Sequence, residues 1–484
     1  MIAWVLAGLC IAGTSEDVPD RTRAPAVAPP PFISLPEPEF RQIRPGLRVW
    51  RVPGKGMRDV HIRLSFRRGS LDLAQPGSAS YSAFGWVWDQ ATRRRSANEV
   101  DIFEDLNEVD VATYSGLRNT TVTLSGTVSS WTEGLPLLRE ALLEPRFLRK
   151  DLRLIRDNRE RWYLYDAPTL GYAIIEAVHD YAWYPTDHPF GAMVDLAGWD
   201  RLRRRQVRRR HADLLRAAPL DVLVSGDISW QDIESHLLPA VEGVGVDGST
   251  AQGPLPLSPP DGSQVVAVDL GGTTRASLGL QLAAPLSTSD EFPVFVLVDH
   301  ALGGSFLSRL NRELREERGL TYGIGSTYLT GQSRGVLKIE TEVAVEHAGE
   351  AIEAIEAQLA GLSQGGLTEG ELRDGRAAAL ATWNATFSSI DAVDRRYWGW
   401  LSLGRDLAYG RGIVQAVREV KPARTRQVAA RWLGQDAPRL WVVVGNRRDL
   451  EPQLAELDLE VRWVPSELVV LGLGVAPAPG DGQE

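Results

Sequence analysis

The side chains that most often carry out catalysis are few in this chain of 484 residues, which has 7 histidines and one cysteine. His347 and Glu350 have the spacing of the first two residues of the zinc motif His-x-x-Glu-His, in which two imidazoles four positions apart share a helix face and bind one Zn²⁺. Ala351 stands where the second histidine would be. We interpret this segment as a solvated helix face and not as a metal site.

Motifs for covalent catalysis are also absent from the sequence. The nearest approach, Gly303-Gly304-Ser305-Phe306, lacks the Gly-x-Ser-x-Gly pattern that places a serine on a sharp turn. The single cysteine, Cys10, lies in an apolar N-terminal run, and cleavage of that run would leave no thiol for catalysis or disulfides.

Length and composition favour a globular protein of two domains. A chain of 484 residues is too long for one core, and contents of 43% hydrophobic and 24% charged residues are typical of soluble proteins. The formal net charge of −10 argues against nucleic acid as a partner, because phosphate binding requires a basic surface. Nowhere in the sequence is a run apolar and long enough to be an integral membrane span.

The N-terminal residues predict export. Residues 2–12 are almost wholly apolar but too few to cross a bilayer, and small residues follow them, so residues 1–14 are interpreted as a signal segment. Residues 15–38 are rich in proline and acidic residues and predict a flexible spacer. We expect a periplasmic protein. Leu9 precedes Cys10 where a lipid-attached cysteine usually follows a small residue, so lipoprotein anchoring is the weaker alternative.

Composition divides the remainder of the chain into two regions. Residues 246–264 carry glycine, serine and proline without apolar periodicity and predict a linker, and residues 471–484 predict a flexible tail. The linker separates an N-terminal domain of residues 39–245 from a C-terminal domain of residues 265–470. Each region contains alternating strands, long helices and a final apolar strand that runs into a glycine.

The spacing of these features indicates an internal duplication. Gly226 and Gly445, which end the final strands, are 219 residues apart, and Leu152 and Leu372, in matching helices, are 220 apart. A chance resemblance would not keep one spacing across several elements. Because strand runs are mixed with pairs of helices, we predict an α+β fold: two homologous domains, each a mixed or antiparallel sheet with helices on one face.

Residues 66–84, 184–202 and 302–326 are the most distinctive stretches of the sequence, and together they resemble the insulinase/pitrilysin-type peptidase family, whose members are built from such duplicated units. Residues 66–84, "FRRGSLDLAQPGSASYSAF", are similar to the family's approach to the zinc helix. Residues 184–202 resemble its His-Pro-aromatic-Gly segment, and residues 302–326 resemble a second-domain segment in which an arginine precedes a tyrosine by seven positions. The resemblance covers about residues 40–465.

The resemblance also shows what this chain lacks. Active members carry His-x-x-Glu-His on the first helix of the first domain and a third ligand, a glutamate, further on. The positions that match the motif are Ala83, Trp86 and Val87. No histidine occurs between His61 and His179, and Glu160, at the third-ligand position, is left as a vestigial residue with a surface or salt-bridged role. We therefore predict no metal, no cofactor and no catalytic residue in this chain.

Arg315 and Tyr322 match the arginine and tyrosine of the second-domain segment. In family members these positions reach the zinc of the other domain and bind the peptide carbonyl, a role that suits two preorganised donors facing developing negative charge. The resemblance thus implies that both residues bind peptide substrate. The alternative from the sequence is a surface ion pair for Arg315 and an ordinary strand aromatic for Tyr322.

These observations lead to one preferred function and two others. We expect a non-catalytic subunit of a heterodimeric zinc metallopeptidase, which encloses the chamber of a homologous zinc-bearing partner and holds the peptide. The alternative is a structural or assembly protein of the same fold with no peptidase role. A stand-alone enzyme with a non-standard metal site is the third interpretation, and metal analysis of the purified protein would decide it.

Overall fold

Two six-stranded sheets form the framework of the molecule. The computed structural model describes residues 36–69, 85, 87–116, 119–183, 202–245, 262–331, 334–457 and 460–470. The first sheet has the order β1-β2-β6-β3-β5-β4. Its strands are β1 (Glu39–Arg44), β2 (Leu47–Pro53), β3 (Asp59–Phe66), β4 (Asp110–Ser115), β5 (Thr120–Thr127) and β6 (Leu220–Gly226).

The second sheet repeats this arrangement, with the order β12-β7-β11-β8-β10-β9. Its strands are β7 (Gln264–Asp269), β8 (Arg275–Ala283), β9 (Thr321–Thr330), β10 (Gly335–Ala344), β11 (Arg439–Gly445) and β12 (Val461–Trp463). In both sheets the last long strand inserts between two earlier strands: β6 is parallel to β2 and antiparallel to β3, and β11 is parallel to β7 and antiparallel to β8. Only the outermost strand differs, because β1 pairs antiparallel with β2 whereas β12 pairs parallel with β7.

The helices also recur at the repeat spacing. The longer helices are α1 (Ala97–Asn107), α2 (Trp131–Leu143), α3 (Arg149–Arg161), α4 (Gly171–Trp183), α5 (Arg204–Ala217), α6 (Phe292–Leu302), α7 (Ala348–Gly365), α8 (Glu369–Ala385), α9 (Ile390–Ser402), α10 (Leu407–Glu419), α11 (Pro422–Leu433) and α12 (Arg447–Ala455). Helices α4 and α9 begin 219 residues apart. Capping boxes start α1 at Ser96 and α8 at Thr368, where each side chain accepts the backbone N–H three residues on.

Alternation along the strands produces two buried faces in each unit. On β3, Ile62 and Leu64 are fully buried in the core that the first sheet forms with its own helices. On β8, Leu278 and Leu280 have the same place in the second unit. The central strands β6 and β11 are buried at every position, in keeping with their largely apolar sequences.

The opposite face of each sheet is covered by a helix from the other unit. Helix α4, which belongs to the first unit, packs on β8 and β11. Helix α9, which belongs to the second, packs on β3 and β6. The predicted fold class, two homologous mixed sheets with helices, is therefore confirmed. The sequence pattern did not indicate the exchange of helices.

Several predicted segments lie outside the described residues: the signal segment 1–14, almost all of the spacer, most of the linker and the tail 471–484. The domain boundaries therefore stay a prediction. Within the part of the chain that is described, no helix has the length and apolar character needed to cross a membrane.

Candidate functional site

A helix end and a tight turn bring Arg315 and Tyr322 together. Arg315 lies on a π-helical segment, Asn311–Glu317, and Tyr322 is the second residue of β9. Between them Gly319 adopts a φ of +66°, a left-handed conformation that costs glycine little, and the chain reverses. The guanidinium carbon of Arg315 consequently lies 5.3 Å from the centroid of the Tyr322 ring.

A second ring holds the guanidinium from the preceding loop. The same carbon lies 4.6 Å from the centroid of Phe306, a distance at which cation–π attraction operates. The Arg315 Nε atom is 3.3 Å from a carboxylate oxygen of Glu316, so the arginine also has the surface ion pair that the sequence left open as an alternative. The guanidinium carbon therefore lies within cation–π range of two rings, while the side chain keeps 29% of its surface exposed.

A β-bulge sets the direction of Tyr322. On β10, Thr341 pairs with Ile324 and Val343 pairs with Thr321, so β9 has one residue more than its partner between these pairs. The Thr321 hydroxyl, which donates to the Glu342 carbonyl at 2.9 Å, anchors the strand beside the bulge. Tyr322 is 88% exposed as a result, which is unusual for a strand aromatic and leaves its hydroxyl free to contact another molecule.

Asn311 fastens the helical segment to the same strand. This side chain is buried, and its Oδ1 atom accepts the Ile324 backbone N–H at 3.3 Å. Its amide nitrogen faces the Ser305 carbonyl in the loop that carries Phe306. One buried amide therefore contacts two of the three segments that build the site, in keeping with the rule that buried polar groups are hydrogen-bonded.

The result is an exposed patch with one cation at its centre, which we call the Arg315 patch and define as Phe306, Leu307, Arg315 and Tyr322. Phe306 is 63% exposed and Leu307 79% exposed. Contiguous exposed apolar surface of this kind usually marks a site where another molecule binds. The sequence analysis found the arginine and the tyrosine but missed Phe306, although it lies only nine residues before Arg315.

The predicted vestigial zinc site is only partly described. Glu160 is an exposed residue in the last turn of α3. Val87 is buried and helical, whereas Ala83 and Trp86 lie outside the described residues. Next to Val87, Trp88 is fully buried and donates its indole N–H to the Ala141 carbonyl at 2.7 Å.

Metal ligands do not cluster elsewhere in the described ranges. Among those residues, no group of three or more His, Cys, Asp or Glu side chains could hold a metal ion. His347 and Glu350, the half motif of the second unit, form a surface pair with 3.3 Å between Nδ1 and Oε2. Two donors on an exposed helix are too few to bind Zn²⁺.

Comparison with known proteins identifies the class. Residues 201–379 match the family model described as the peptidase M16 inactive domain. This match confirms the resemblance to insulinase/pitrilysin-type peptidases over the matched residues. The matched domain is described as inactive, and the sequence has no His-x-x-Glu-His motif. No curated protein matches the sequence.

Solved structures share the fold at low sequence identity. A peptidase M16 inactive domain from Pseudomonas fluorescens has a TM-score of 0.74 at 20% identity, with 84% of this chain and 98% of that chain covered. A protease from Helicobacter pylori has a TM-score of 0.74 at 18% identity, covering 85% and 100%. The periplasmic protease PqqL from Escherichia coli has a TM-score of 0.70 at 13% identity; the match covers 92% of this chain but 49% of PqqL. These likenesses establish the fold.

Proposed function

We propose that this protein is the non-catalytic subunit of a heterodimeric zinc peptidase and that it supplies the Arg315 patch to a homologous, zinc-bearing partner. One observation carries the proposal. The two residues expected to bind peptide, Arg315 and Tyr322, are assembled and exposed in a chain whose sequence has no zinc motif. Hydrogen-bond donors suited to an oxyanion can assist hydrolysis only beside a site that activates a nucleophile, and we therefore assign them to the zinc site of a partner.

The chemistry of the patch supports binding to a peptide carbonyl. The guanidinium carbon of Arg315 lies 4.6 Å from the ring centroid of Phe306 and 5.3 Å from that of Tyr322, and both contacts restrain the side chain before a ligand binds. The phenol of Tyr322 supplies a second donor. Fixed donors aimed at a carbonyl oxygen stabilise the negative charge that develops during hydrolysis without further rearrangement. Zinc and the attacking water would come from the partner.

The expected location follows from the same set of observations. The apolar residues 2–12 favour export, and PqqL, one of the similar structures, is described as periplasmic. We therefore propose that the complex works in the periplasm on peptides. A structural or assembly role without peptidase activity is the competing proposal, and its supporting observation is the absence of the zinc motif.

Co-expression with a homologous chain that carries His-x-x-Glu-His tests the main proposal. We expect peptide hydrolysis by the complex that neither chain shows alone. Arg315→Ala should lower kcat/KM about 100- to 1000-fold, because removal of one preorganised donor to an oxyanion costs about 2.7–4 kcal/mol. Tyr322→Phe should have a smaller effect in the same direction.

The matched control is Arg373→Ala on α8, which removes an exposed arginine whose ion pair is with neighbouring Asp374. Activity of the complex should be unchanged by it. Full activity of the Arg315→Ala complex, with assembly intact, would contradict the role assigned to the patch and favour the structural alternative.

A further inference from the structure

A cavity of about 770 Å³ lies among four helices of the second unit: α6, α8, α9 and α10. Its volume is in the range of small-molecule sites, which are concave, mostly apolar and provided with a few placed polar groups. None of the Arg315 patch residues lines it. The cavity is therefore a separate feature of the molecule.

Small residues on one face of α8 keep the cavity open. Gly375, Ala378, Ala379 and Thr382 follow one another at spacings that place them on a single helix face, and all line the cavity. Gly375 is required by packing, because an added Cβ there would lie 2.9 Å from a methyl carbon of Leu297 on α6. The other three could each be larger, so the space they leave is not forced by the helix contact.

Aromatic and aliphatic side chains form the rest of the lining. Trp383 and Trp400 are stacked, with ring centroids 5.9 Å apart and an interplanar angle of 28°. Phe292, Ile413 and Val414 also line the cavity. Such a surface gains free energy by burying an apolar group of a ligand.

The charged groups of the lining are satisfied except for one cation. Arg395 pairs with Asp391, and Asp299 accepts the Ser326 hydroxyl. Arg396 has neither an ion pair nor a hydrogen bond with any residue of the described ranges. Surrounding atoms desolvate its guanidinium and lower its pKa, yet more than a third of the residue remains in contact with solvent. An unpaired, partly desolvated guanidinium at the rim of an apolar cavity would be stabilised by an anion.

We infer that this cavity binds an amphipathic carboxylate, whose apolar body occupies the space beside Ala379 and Trp400 and whose carboxylate pairs with Arg396. Arginine suits this role because its planar fork matches the two oxygens of a carboxylate. A fatty acid and the C-terminal apolar residue of a peptide share this chemistry. The inference does not rest on the proposed function, because the cavity contains none of the Arg315 patch residues.

Titration calorimetry on the purified full chain tests the inference with two probes. The first is decanoate below its micellar concentration, compared with decanol. The second is a hexapeptide ending in Leu-Phe with a free carboxylate, compared with its C-terminal amide. We expect at least one carboxylate probe to bind, and its uncharged counterpart to bind at least tenfold more weakly.

Variants of the cavity locate the binding. Arg396→Gln should weaken the carboxylate probe at least tenfold and leave its uncharged counterpart unaffected. Ala379→Leu should reduce the binding of both by filling the space, and Thr382→Leu serves the same purpose if that variant does not fold. The control Arg448→Gln, on α12 and away from the lining, should change nothing.

Each outcome has one meaning. Binding of decanoate alone would identify a fatty acid site, and binding of the free peptide alone a site for a peptide C-terminus; both support the inference. The inference would be overturned if neither carboxylate probe bound, or if Arg396→Gln left the binding of the carboxylate probe unchanged. Loss of peptidase activity in a complex has no bearing on this result, so failure here is distinct from failure of the proposed function.

Discussion

Each unit contributes one helix that packs on the sheet of the other unit. We call α9 on the first sheet the first crossing and α4 on the second sheet the second crossing. The two crossings are equivalent in the repeat but differ in chemistry. Ile175 on α4 and Asp394 on α9 occupy the same repeat position, 219 residues apart. The residues that face them on the covered sheets, Gly279 on β8 and Arg63 on β3, are likewise equivalent and 216 apart. One crossing is therefore built on glycine and isoleucine, and the other on arginine and aspartate.

At the first sheet the contact is a buried ion pair. Asp394 has no exposed surface, and Arg63 donates to its Oδ2 atom from Nε at 2.8 Å. His61 approaches the same oxygen at 3.4 Å, while its Nδ1 atom is hydrogen-bonded to the Ser125 hydroxyl at 2.8 Å. Burial raises the pKa of Asp394 to about 7, although Arg63 acts against this rise.

At the second sheet the contact is close packing. A Cβ on Gly279 would lie 2.4 Å from a methyl carbon of Ile175 and 3.1 Å from the ring of His179, so any side chain there would push α4 away. Charge is confined to the margin, where Lys338 donates to both carboxylate oxygens of Glu176 at 2.8 Å. Burial lowers the pKa of His179 to about 3, which keeps the imidazole neutral.

The difference shows that one architectural role can be filled in two ways. Apolar packing brings two backbones together without desolvating a charge. A buried ion pair carries a desolvation penalty that can equal or exceed its attraction, but it tolerates few alternative arrangements. We therefore expect the first crossing to be more sensitive to the loss of one partner and the second to any increase in volume.

The largest expected effect is that of Asp394→Ala. It leaves the Arg63 guanidinium buried without its carboxylate, and removal of one partner of such a pair costs about 3–5 kcal/mol. Urea unfolding should show this loss. The double variant Arg63→Met with Asp394→Leu should recover most of it, because both charges are then gone. A double variant no more stable than Asp394→Ala would show that the polar arrangement itself is needed.

Unfolding at different pH values should separate the two crossings. The raised pKa of Asp394 means that protonation stabilises the fold: this contribution is complete below about pH 4 and is lost as the pH rises through about 7. The stability of the protein relative to Asp394→Asn should therefore fall by roughly 2–4 kcal/mol between pH 4 and pH 8. His61 contributes with the opposite sign, because burial lowers its pKa to about 4, and the variant His61→Gln measures that contribution separately.

The second crossing should respond to pH with the opposite sign. Because the pKa of His179 is lowered, its contribution is present above about pH 6.5 and is lost as the pH falls through about 3. The stability relative to His179→Gln should rise with pH over this interval. The difference in unfolding free energy between the protein and Asp394→Asn, and that between the protein and His179→Gln, should change with pH in opposite directions. Equal slopes would contradict the contrast between the two contacts.

Adding volume at the second crossing should have an intermediate effect. Gly279→Val inserts atoms where Ile175 already touches the backbone, and overpacking of this kind typically costs about 1–3 kcal/mol. Gly271→Val is the matched control, since a Cβ at that position meets no atom within 4 Å. A stability loss no larger than that of the control would mean that α4 shifts freely on the second sheet.

The smallest expected effect is that of Glu176→Gln. Its partner Lys338 is largely buried, but Glu176 is nearly half exposed, and solvent weakens the attraction between them. We expect a loss of about 1 kcal/mol in urea unfolding, less than that of Asp394→Ala. A loss equal to that of Asp394→Ala would place the strength of the second crossing in its marginal ion pair.

Much of the fold could be predicted because the relevant signals are local. Alternation at residues such as Ile62 and Leu64 indicates a strand with one apolar face, and the equal spacing from Gly226 to Gly445 reveals the duplication. The Arg315 and Tyr322 pair was found for the same reason, since one turn joins the two residues. Their role in binding peptide stays a prediction, as do the partner and export.

The parts that sequence reasoning missed depend on distant residues. Nothing near Phe306 indicates that its ring lies against Arg315, and the bulge that exposes Tyr322 is defined only by the register with β10. The cavity beside Ala379 needs four helices in place before it exists. Small residues on α8 alone would equally suit a tightly packed helix pair.

By itself, the sequence determined that the chain has two related units and that it lacks the zinc motif, because repeat spacing and ligand identity are properties of the covalent chain. Only the tertiary structure decided which helix covers which sheet. Arg63 and Asp394 are 331 residues apart, and a pattern of apolar and polar positions shows that a face will be buried without showing what buries it. The choice is made by shape and charge complementarity when the two units meet.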